Sequence, residues 1–524
     1  MIIVTSASYI DQEFSSEFGL IPPAFLPVGN KRLYSYLAQC LPATERRILT
    51  VPESFVVSRF DQKRLDMLGF ELLHIPENLS LGESVVCAIN LAGNEPEAPL
   101  RILHGDTLIQ DLPGDELDVV TLSEVDGAYN WAAWHDTGEQ RLTQLDENRM
   151  VGSVKIANGY FAFSDCALFV RSVIRASGNF VQGVNGYSRE RPLRGLEVQQ
   201  WFDFGHEHTY YRSKARMTTQ RAFNKLQINP ETVQKSSSDK QKMESEFQWF
   251  SSLPGNLKIY TPQLINKLDD PEPGYEIQYL YLASLNELYV FGQLPRFIWR
   301  KIFRSSLAFL DACRDHTPDQ PVALESAALF EEKTLRRLRQ WHQEAGVDLR
   351  TPWTINGAEV PSIETIVEQT AAMIPPLDAA DVCVVHGDLC FSNMLYDFRS
   401  QTIKVIDPRG CLPDGTHSIY GDQRYDVAKL AHSVCGLYDF IVAGDYRVDI
   451  KDHQATLELP DSQAISDVQS VFLQLIDEQF GLSRELLYAM QVQLFLSMIP
   501  LHADDPMRQQ AFLANALRLY SHIE

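Results

Sequence analysis

Between residues 382 and 410 one short apolar run delivers His386-Gly387-Asp388, and Asn393 follows five positions after the aspartate. A second run then delivers Asp407-Pro408-Arg409-Gly410. This spacing constrains the chain more than any other feature in it. Apolar segments bounded by turn residues predict strands at 382–385, 394–396 and 403–406. A carboxylate, an amide and a second carboxylate are thereby fixed around one hairpin. An aspartate so placed can accept the proton of a hydroxyl, while an Asn and an Asp together can hold a Mg²⁺ that neutralises phosphate charge. The pattern points to phosphoryl transfer, with Asp388 as base and Asn393 and Asp407 as metal ligands. Singly, His-Gly-Asp or Ile-Asp-Pro-Arg-Gly is compatible with an ordinary turn; the order and spacing carry the expectation.

The same residues resemble the aminoglycoside and choline phosphotransferase family, whose signature reads H-G-D-x-x-x-x-N followed by I-D-P or I-D-F/W. The resemblance implies a two-lobed, protein-kinase-like α+β domain using ATP and Mg²⁺. Its smaller lobe is expected at about 221–290 and its larger at about 291–524. Strands at 223–228 and 232–235 flank the turn Asn229-Pro230-Glu231, and a helix at 240–253 carries Met243, Phe247 and Phe250 as an apolar stripe. In such domains a strand lysine contacts the nucleotide phosphates and is oriented by an acid of the next helix. Lys235 and Glu246 are that pair here, with Glu244 as the alternative acid. No glycine-rich loop precedes Lys235, which leaves Ser236-Ser237-Ser238 to close over the phosphates. A strand at 275–281 and the segment 282–287 have the look of the hinge between lobes. Asp426, in Tyr425-Asp426-Val427-Ala428, resembles the family's structural acid that ties the catalytic loop down. A capped helix start is expected over 416–430, long amphipathic helices over 295–345, and three closing helices at 462–480, 484–501 and 506–520. An acidic closing region would suit a cationic acceptor, though acidic runs are more often solvated faces.

The first 220 residues alternate β-like runs (2–5, 47–51, 70–74, 101–104, 154–156, 160–163) with helix-length segments (32–41, 60–68, 81–92). That order predicts an α/β domain with a mostly parallel sheet. Phe25-Leu26-Pro27-Val28-Gly29-Asn30-Lys31-Arg32-Leu33, the strand end Leu103-His104-Gly105-Asp106, and Trp201-Phe202-Asp203-Phe204-Gly205-His206 resemble, in order, three motifs of the sugar-phosphate nucleotidyltransferases. The resemblance implies a GT-A/Rossmann-like sheet domain in which Asp106 and Asp203 hold Mg²⁺ between a nucleotide, with CTP or UTP the candidates in this chain, and a sugar phosphate. The chain departs from that pattern where the family has G-x-G-x-R, reading Thr5-Ser6-Ala7-Ser8-Tyr9, and Pro23 stands in place of a lysine. A phosphate cradle would then have to come from Thr5, Ser6, Ala7 and Ser8, helped by Lys31.

At 524 residues the chain exceeds what one core supports. The boundary is expected near 216–224, giving a nucleotidyltransferase-like domain at 1–220 and a kinase-like domain at 221–524. A net charge of −23 argues against a nucleic-acid or anionic-membrane partner, since either needs a basic patch. No run approaches 18 apolar residues, and the start lacks the basic flank of a signal peptide, so a cytoplasmic protein handling small molecules and nucleotides is expected. The eight cysteines show no metal spacing; Cys390, in the catalytic loop, is the one of interest. Residues 95–99 and 271–274 read as surface loops. Two functions are compatible with these features. In the first, a kinase phosphorylates a sugar or amino-alcohol and a fused domain activates the product for surface or capsular polysaccharide synthesis. In the second, the N-terminal domain is catalytically inactive and binds a nucleotide-sugar or acts as a scaffold.

Overall fold

A computed structural model describes residues 1–93, 98–125, 131–135, 141–144, 153–217, 225–269, 272–322 and 324–523. Residues 218–224 of the expected boundary, and 95–97 and 271 of the two expected loops, lie outside the described residues. Two compact units are present, Met1–Met217 and Thr218–Glu524. No helix among the described residues is long and apolar enough to cross a membrane.

In the first unit the strand Ile2–Thr5 is central, paired in parallel with Arg47–Pro52 and Leu100–His104, and Phe70–Ile75 extends the sheet in parallel. Ile2, Ile3 and Val4 are fully buried, as a strand covered on both faces must be. The helices Leu33–Cys40, Arg59–Met67 and Leu81–Ala92 make the crossovers. The third is held at its start by a Ser80–Glu83 capping box and stopped by Gly93 in the left-handed region. The rest of the sheet is mixed, with Arg194–Glu197 parallel to Val119–Val125 and the strands around residues 154–163 antiparallel. The segments 154–156 and 160–163 form one strand, Val154–Phe163, pairing with Leu100–His104 and Val119–Val125 through a bulge between Ala157 and Phe161. Gly159, at φ +105° in that bulge, leaves little room for a side chain, since a Cβ there would stand 3.0 Å from Thr107 Oγ1 and 3.2 Å from His104 Cβ. Beside this sheet, Thr107–Ile109 pairs with Trp201–Asp203, placing Asp203 opposite Thr107.

The second unit opens with an antiparallel sheet in the order Lys225–Ile228, Thr232–Ser236, Gly274–Gln278, Leu264–Leu268, and the helix Lys240–Ser252 packs against it. Expected strand residues 223 and 224 lie outside the described residues. The segment expected as a hinge becomes helical at Leu285, where Ser284 and Glu287 form a capping box. Val382–Val384 pairs with Tyr420–Asp422, and the hairpin Met394–Asp397/Thr402–Val405 completes the signature region. The helix expected over 416–430 starts only at Gln423, capped by Asp422, because residues 420–422 are taken up in that pairing. The closing helices are Gln463–Phe480, Arg484–Met498 and Pro506–Tyr520. A four-stranded sheet from Pro352–Ile355, Ala358–Ser362, Arg447–Lys451 and Gln454–Glu458 has no counterpart among the strands expected from the sequence.

Candidate active site

Lys235 lies across the sheet from Tyr275, and three polar side chains meet in an apolar setting. Lys235 Nζ stands 2.7 Å from Glu246 Oε2 and 3.1 Å from Asp407 Oδ1. The Tyr275 hydroxyl donates to the same Glu246 oxygen at 2.7 Å. Lys235, Glu246 and Tyr275 are 4%, 2% and 0% exposed, so each requires the others' hydrogen bonds. Burial opposes the Lys235 charge, yet the Asp407 and Glu246 carboxylates hold its ammonium above the usual range. Burial pushes the Glu246 carboxyl up while Lys235 pulls it down. Of the two acids considered, Glu244 pairs instead with Lys267 at 2.6 Å. Tyr275 is not legible in the sequence, because it becomes a partner of Glu246 only through strand register.

Asp407 is delivered in the left-handed region at φ +57°, a conformation that Asp tolerates better than most residues. The amide of its neighbour Ile406 donates to Asn393 O at 3.0 Å, and the Ile406 carbonyl accepts from His386 Nε2 at 2.9 Å. The His386 ring, driven down to about 4 by burial, is thus a neutral strut between the two halves of the signature. Asn393 Nδ2 donates to Asp388 O at 2.9 Å and reaches Asp388 Oδ2 at 3.3 Å. Among the described residues its own Oδ1 accepts only from the Ser392 hydroxyl, at 3.4 Å. Asp426 accepts from the backbone of His386 and Gly387 at 2.7 and 2.8 Å, the structural role expected of it. Burial pushes its carboxyl up to about 7 against the pull of those amides. Asp388 is paired with Lys429 Nζ at 2.7 Å. Partial burial pushes its carboxyl up, but the Lys429 and Arg409 cations hold it well below the usual carboxylate range. Lys429, three residues beyond Asp426 on one helix, was also missed, although i, i+3 spacing from the expected acid would have pointed to it. Cys390 is buried, and its thiol is pushed up to about 12.

The segment after Asp407 is fastened to the Lys240–Ser252 helix. Gly410 sits at φ +67°, where a Cβ would stand 2.0 Å from Ser245 O. Ser245 Oγ and His417 Nδ1 lie 2.9 Å apart, and Gln241 Nε2 donates to Gly415 O at 2.9 Å. At the helix's other end Trp249 Nε1 donates to Val385 O at 2.7 Å. Ser237, expected near phosphate, is instead buried and donates through its amide to Pro273 O.

In the first unit Asp106 and Asp203 converge. A Cβ on Gly205 would stand 2.8 Å from Asp106 Oδ2 and 3.3 Å from Asp203 Oδ1, so the two oxygens are no farther apart than those distances end to end. His206 Nδ1 lies 3.3 Å from Asp203 Oδ2. Burial, with Asp203 close by, pushes the Asp106 carboxyl up, while His104 pulls it down. Both carboxylates line a cavity of about 420 Å³ with His104, Asn158, Trp201 and Phe180. Thr5, Ser6, Ala7, Ser8 and Lys31 are not among its lining residues. The Ser6 amide donates to Thr50 Oγ1 at 2.9 Å and its hydroxyl accepts from Ala24 N at 3.0 Å. The Thr5 carbonyl is taken by Gly105, and Lys31 is exposed on a short hairpin. Among the described residues no lysine or arginine lines the cavity, and no group of three or more His, Cys, Asp and Glu is arranged to hold a metal ion.

No family model matches the chain, and neither does any curated protein. Solved structures do. A nucleoside-diphosphate-sugar pyrophosphorylase from Vibrio cholerae RC9 is 12% identical over 41% of this chain and 99% of its own, with a TM-score of 0.34. The inositol-1-phosphate CTP transferase from T. maritima is 15% identical over 41% and 94%, with a TM-score of 0.30. An aminoglycoside-3′-phosphotransferase of type VIII is 13% identical over 58% and 90%, with a TM-score of 0.31. Identities and TM-scores this low say nothing of substrate or turnover, which have to be read from the residue geometry of this chain.

Proposed function

We propose that the second unit is an ATP- and Mg²⁺-dependent kinase that phosphorylates a hydroxyl of a small sugar or amino-alcohol metabolite. The observation that carries this is the meeting of Lys235, Glu246 and Asp407, coupled through Ile406 to Asn393 and Asp388. Asp388, ionised beside Lys429, accepts the proton of the acceptor hydroxyl. Lys235, oriented by Glu246, binds nucleotide phosphate. Asn393 and Asp407 fit a hard cation: one offers an amide oxygen with a single long hydroxyl contact, the other a carboxylate, and phosphate oxygens complete such a site. When bound there, Mg²⁺ neutralises charge on the transferring phosphoryl group.

The first unit is proposed to bind a nucleotide, CTP or UTP, or a nucleotide-sugar in the cavity at Asp106 and Asp203. One reading has it couple the phosphorylated product to a nucleotide for surface polysaccharide synthesis. In the second reading it is a binding domain without turnover: the described lining residues include His104 and His206 but no lysine or arginine to meet a triphosphate. Both are tested by supplying ATP, CTP or UTP with Mg²⁺ and candidate sugars, and following ADP and pyrophosphate separately. Asp388→Ala is expected to lower ADP release by at least about 10²-fold, the scale of general-base loss; unchanged release removes the kinase assignment. Pyrophosphate release abolished by Asp106→Asn would restore the active reading of the first unit.

A further inference from the structure

Beside Asp388 lies a group of cations without matching carboxylates. Tyr425, 4% exposed, receives hydrogen bonds on its hydroxyl from Lys333 Nζ at 3.0 Å and Arg409 Nη2 at 3.1 Å. Both cations also lie 4.7 Å from its ring centroid. Arg337, one turn beyond Lys333, donates to Ser497 O, and Lys429, one turn beyond Tyr425, reaches Asp388. Among the described residues only Lys429 of these four has a carboxylate at ion-pair distance. Holding partly buried cations together without carboxylate partners is costly. Burial, with Arg409 nearby, pushes the Lys333 ammonium down to about 8. Against burial, Arg409, Lys333 and Lys429 pull the Tyr425 phenol down to about 6; an anion seated on the same cations pushes it back up, so the hydroxyl keeps its proton when the site is filled. Lys333 and Arg409 are only half-buried, so an anion from solvent can reach them.

We infer that Lys333, Arg409 and Tyr425 anchor an oxyanion, a carboxylate or a phosphate, carried by the acceptor next to the hydroxyl that is phosphorylated. The inference rests on the kinase reading and narrows it to a sugar acid or sugar phosphate. An amino-alcohol would bring an ammonium against like charges. In the transfer, the acceptor oxygen bonds the γ-phosphorus, the bond to the β–γ bridging oxygen breaks, and ADP leaves with that electron pair. The hydroxyl proton passes to Asp388, and the anchored anion keeps the hydroxyl there.

The test is calorimetric titration of the full chain, saturated with Mg²⁺ and a non-hydrolysable ATP analogue so that the nucleotide site is filled. Inorganic phosphate, D-glycerate, glycerol and ethanolamine are the probes. Phosphate or glycerate is expected to bind while glycerol and ethanolamine do not, and the tighter of the two anions identifies the oxyanion. Lys333→Met is expected to weaken anion binding about 10- to 100-fold, the loss of one charge-assisted contact, and Lys333→Arg to restore it. Tyr425→Phe, which keeps the ring, gives a second reading should Lys333→Met fail to fold. Absence of anion binding, equal binding by folded Lys333→Met and Tyr425→Phe, or preference for ethanolamine overturns the inference while leaving the kinase. Failure to bind the ATP analogue removes the kinase reading itself.

Discussion

Replacing Asp426 with Asn tests whether a single buried carboxylate sets the catalytic loop. Its two oxygens take the His386 and Gly387 amides at 2.7 and 2.8 Å, and the residue is fully buried. Asparagine offers one carbonyl oxygen to those amides and turns an NH₂ toward the other, so one buried N–H loses its acceptor. That costs about 1–3 kcal/mol, which speeds exchange of the loop amides by about 5- to 150-fold if they open locally. Hydrogen-exchange mass spectrometry on peptides spanning 382–393 reads this directly, and ADP release should fall in parallel because Gly387 precedes Asp388. The pH dependence has a definite sign. The folded-state value of about 7 lies above the unfolded value of about 3.9, so the native protein holds a proton that the unfolded chain has released. This group's contribution to stability therefore falls as pH rises from about 4 to about 7, by up to about 1.4 kcal/mol per unit. Asparagine lacks that dependence, so the variant's deficit in urea unfolding should narrow between about pH 5 and 7. Unchanged loop exchange, or a deficit that widens with pH, refutes the reasoning.

Lys235→Met strands the buried Glu246 carboxylate and should destabilise the protein by about 3–5 kcal/mol while abolishing ATP binding; thermal melts and nucleotide titration check both. Asp407→Asn is expected to raise the Mg²⁺ requirement for ADP release more than Asn393→Ala, since a carboxylate meets the cation with full charge and an amide with a dipole; equal shifts in a Mg²⁺ titration would contradict this. Gly205→Ala drives a methyl group against Asp106 and Asp203. In an Asp407→Asn background it should abolish residual Mn²⁺ binding seen by titration, and retained binding would mean the two carboxylates do not share an ion.

Spacing within short segments made part of the site legible. Asp388, Asn393 and Asp407 are set by one hairpin, and Lys235 and Glu246 by one strand and its following helix, so local periodicity locates them. Groups joined across long sequence separations were not visible: Tyr275 meets Glu246 through strand register, Lys429 meets Asp388 from another helix, and Lys333 meets Tyr425 across 92 positions. The strand Val154–Phe163 was split in two because Asn158-Gly159 carries a turn signal that the bulge absorbs. The sheet of residues 352–362 and 447–458 depends on pairing Thr354 with Gln454, a contact no local pattern announces. In the first unit the strand-end carboxylates were legible, whereas the engagement of Ser6 by Thr50 and Ala24 was not.

The fastening of the Lys240–Ser252 helix bears on control. Where the equivalent helix is mobile, making and breaking its ion pair with the strand lysine turns catalysis on and off. Here Gly410 leaves no gap at Ser245, while Gln241 and Trp249 hold the two ends of the helix. A crystal of nucleotide-free protein with Lys235 and Glu246 apart would contradict the expectation that the pair is permanent. The proposed kinase would then have no off position in its small lobe, its output following the supply of nucleotide and acceptor.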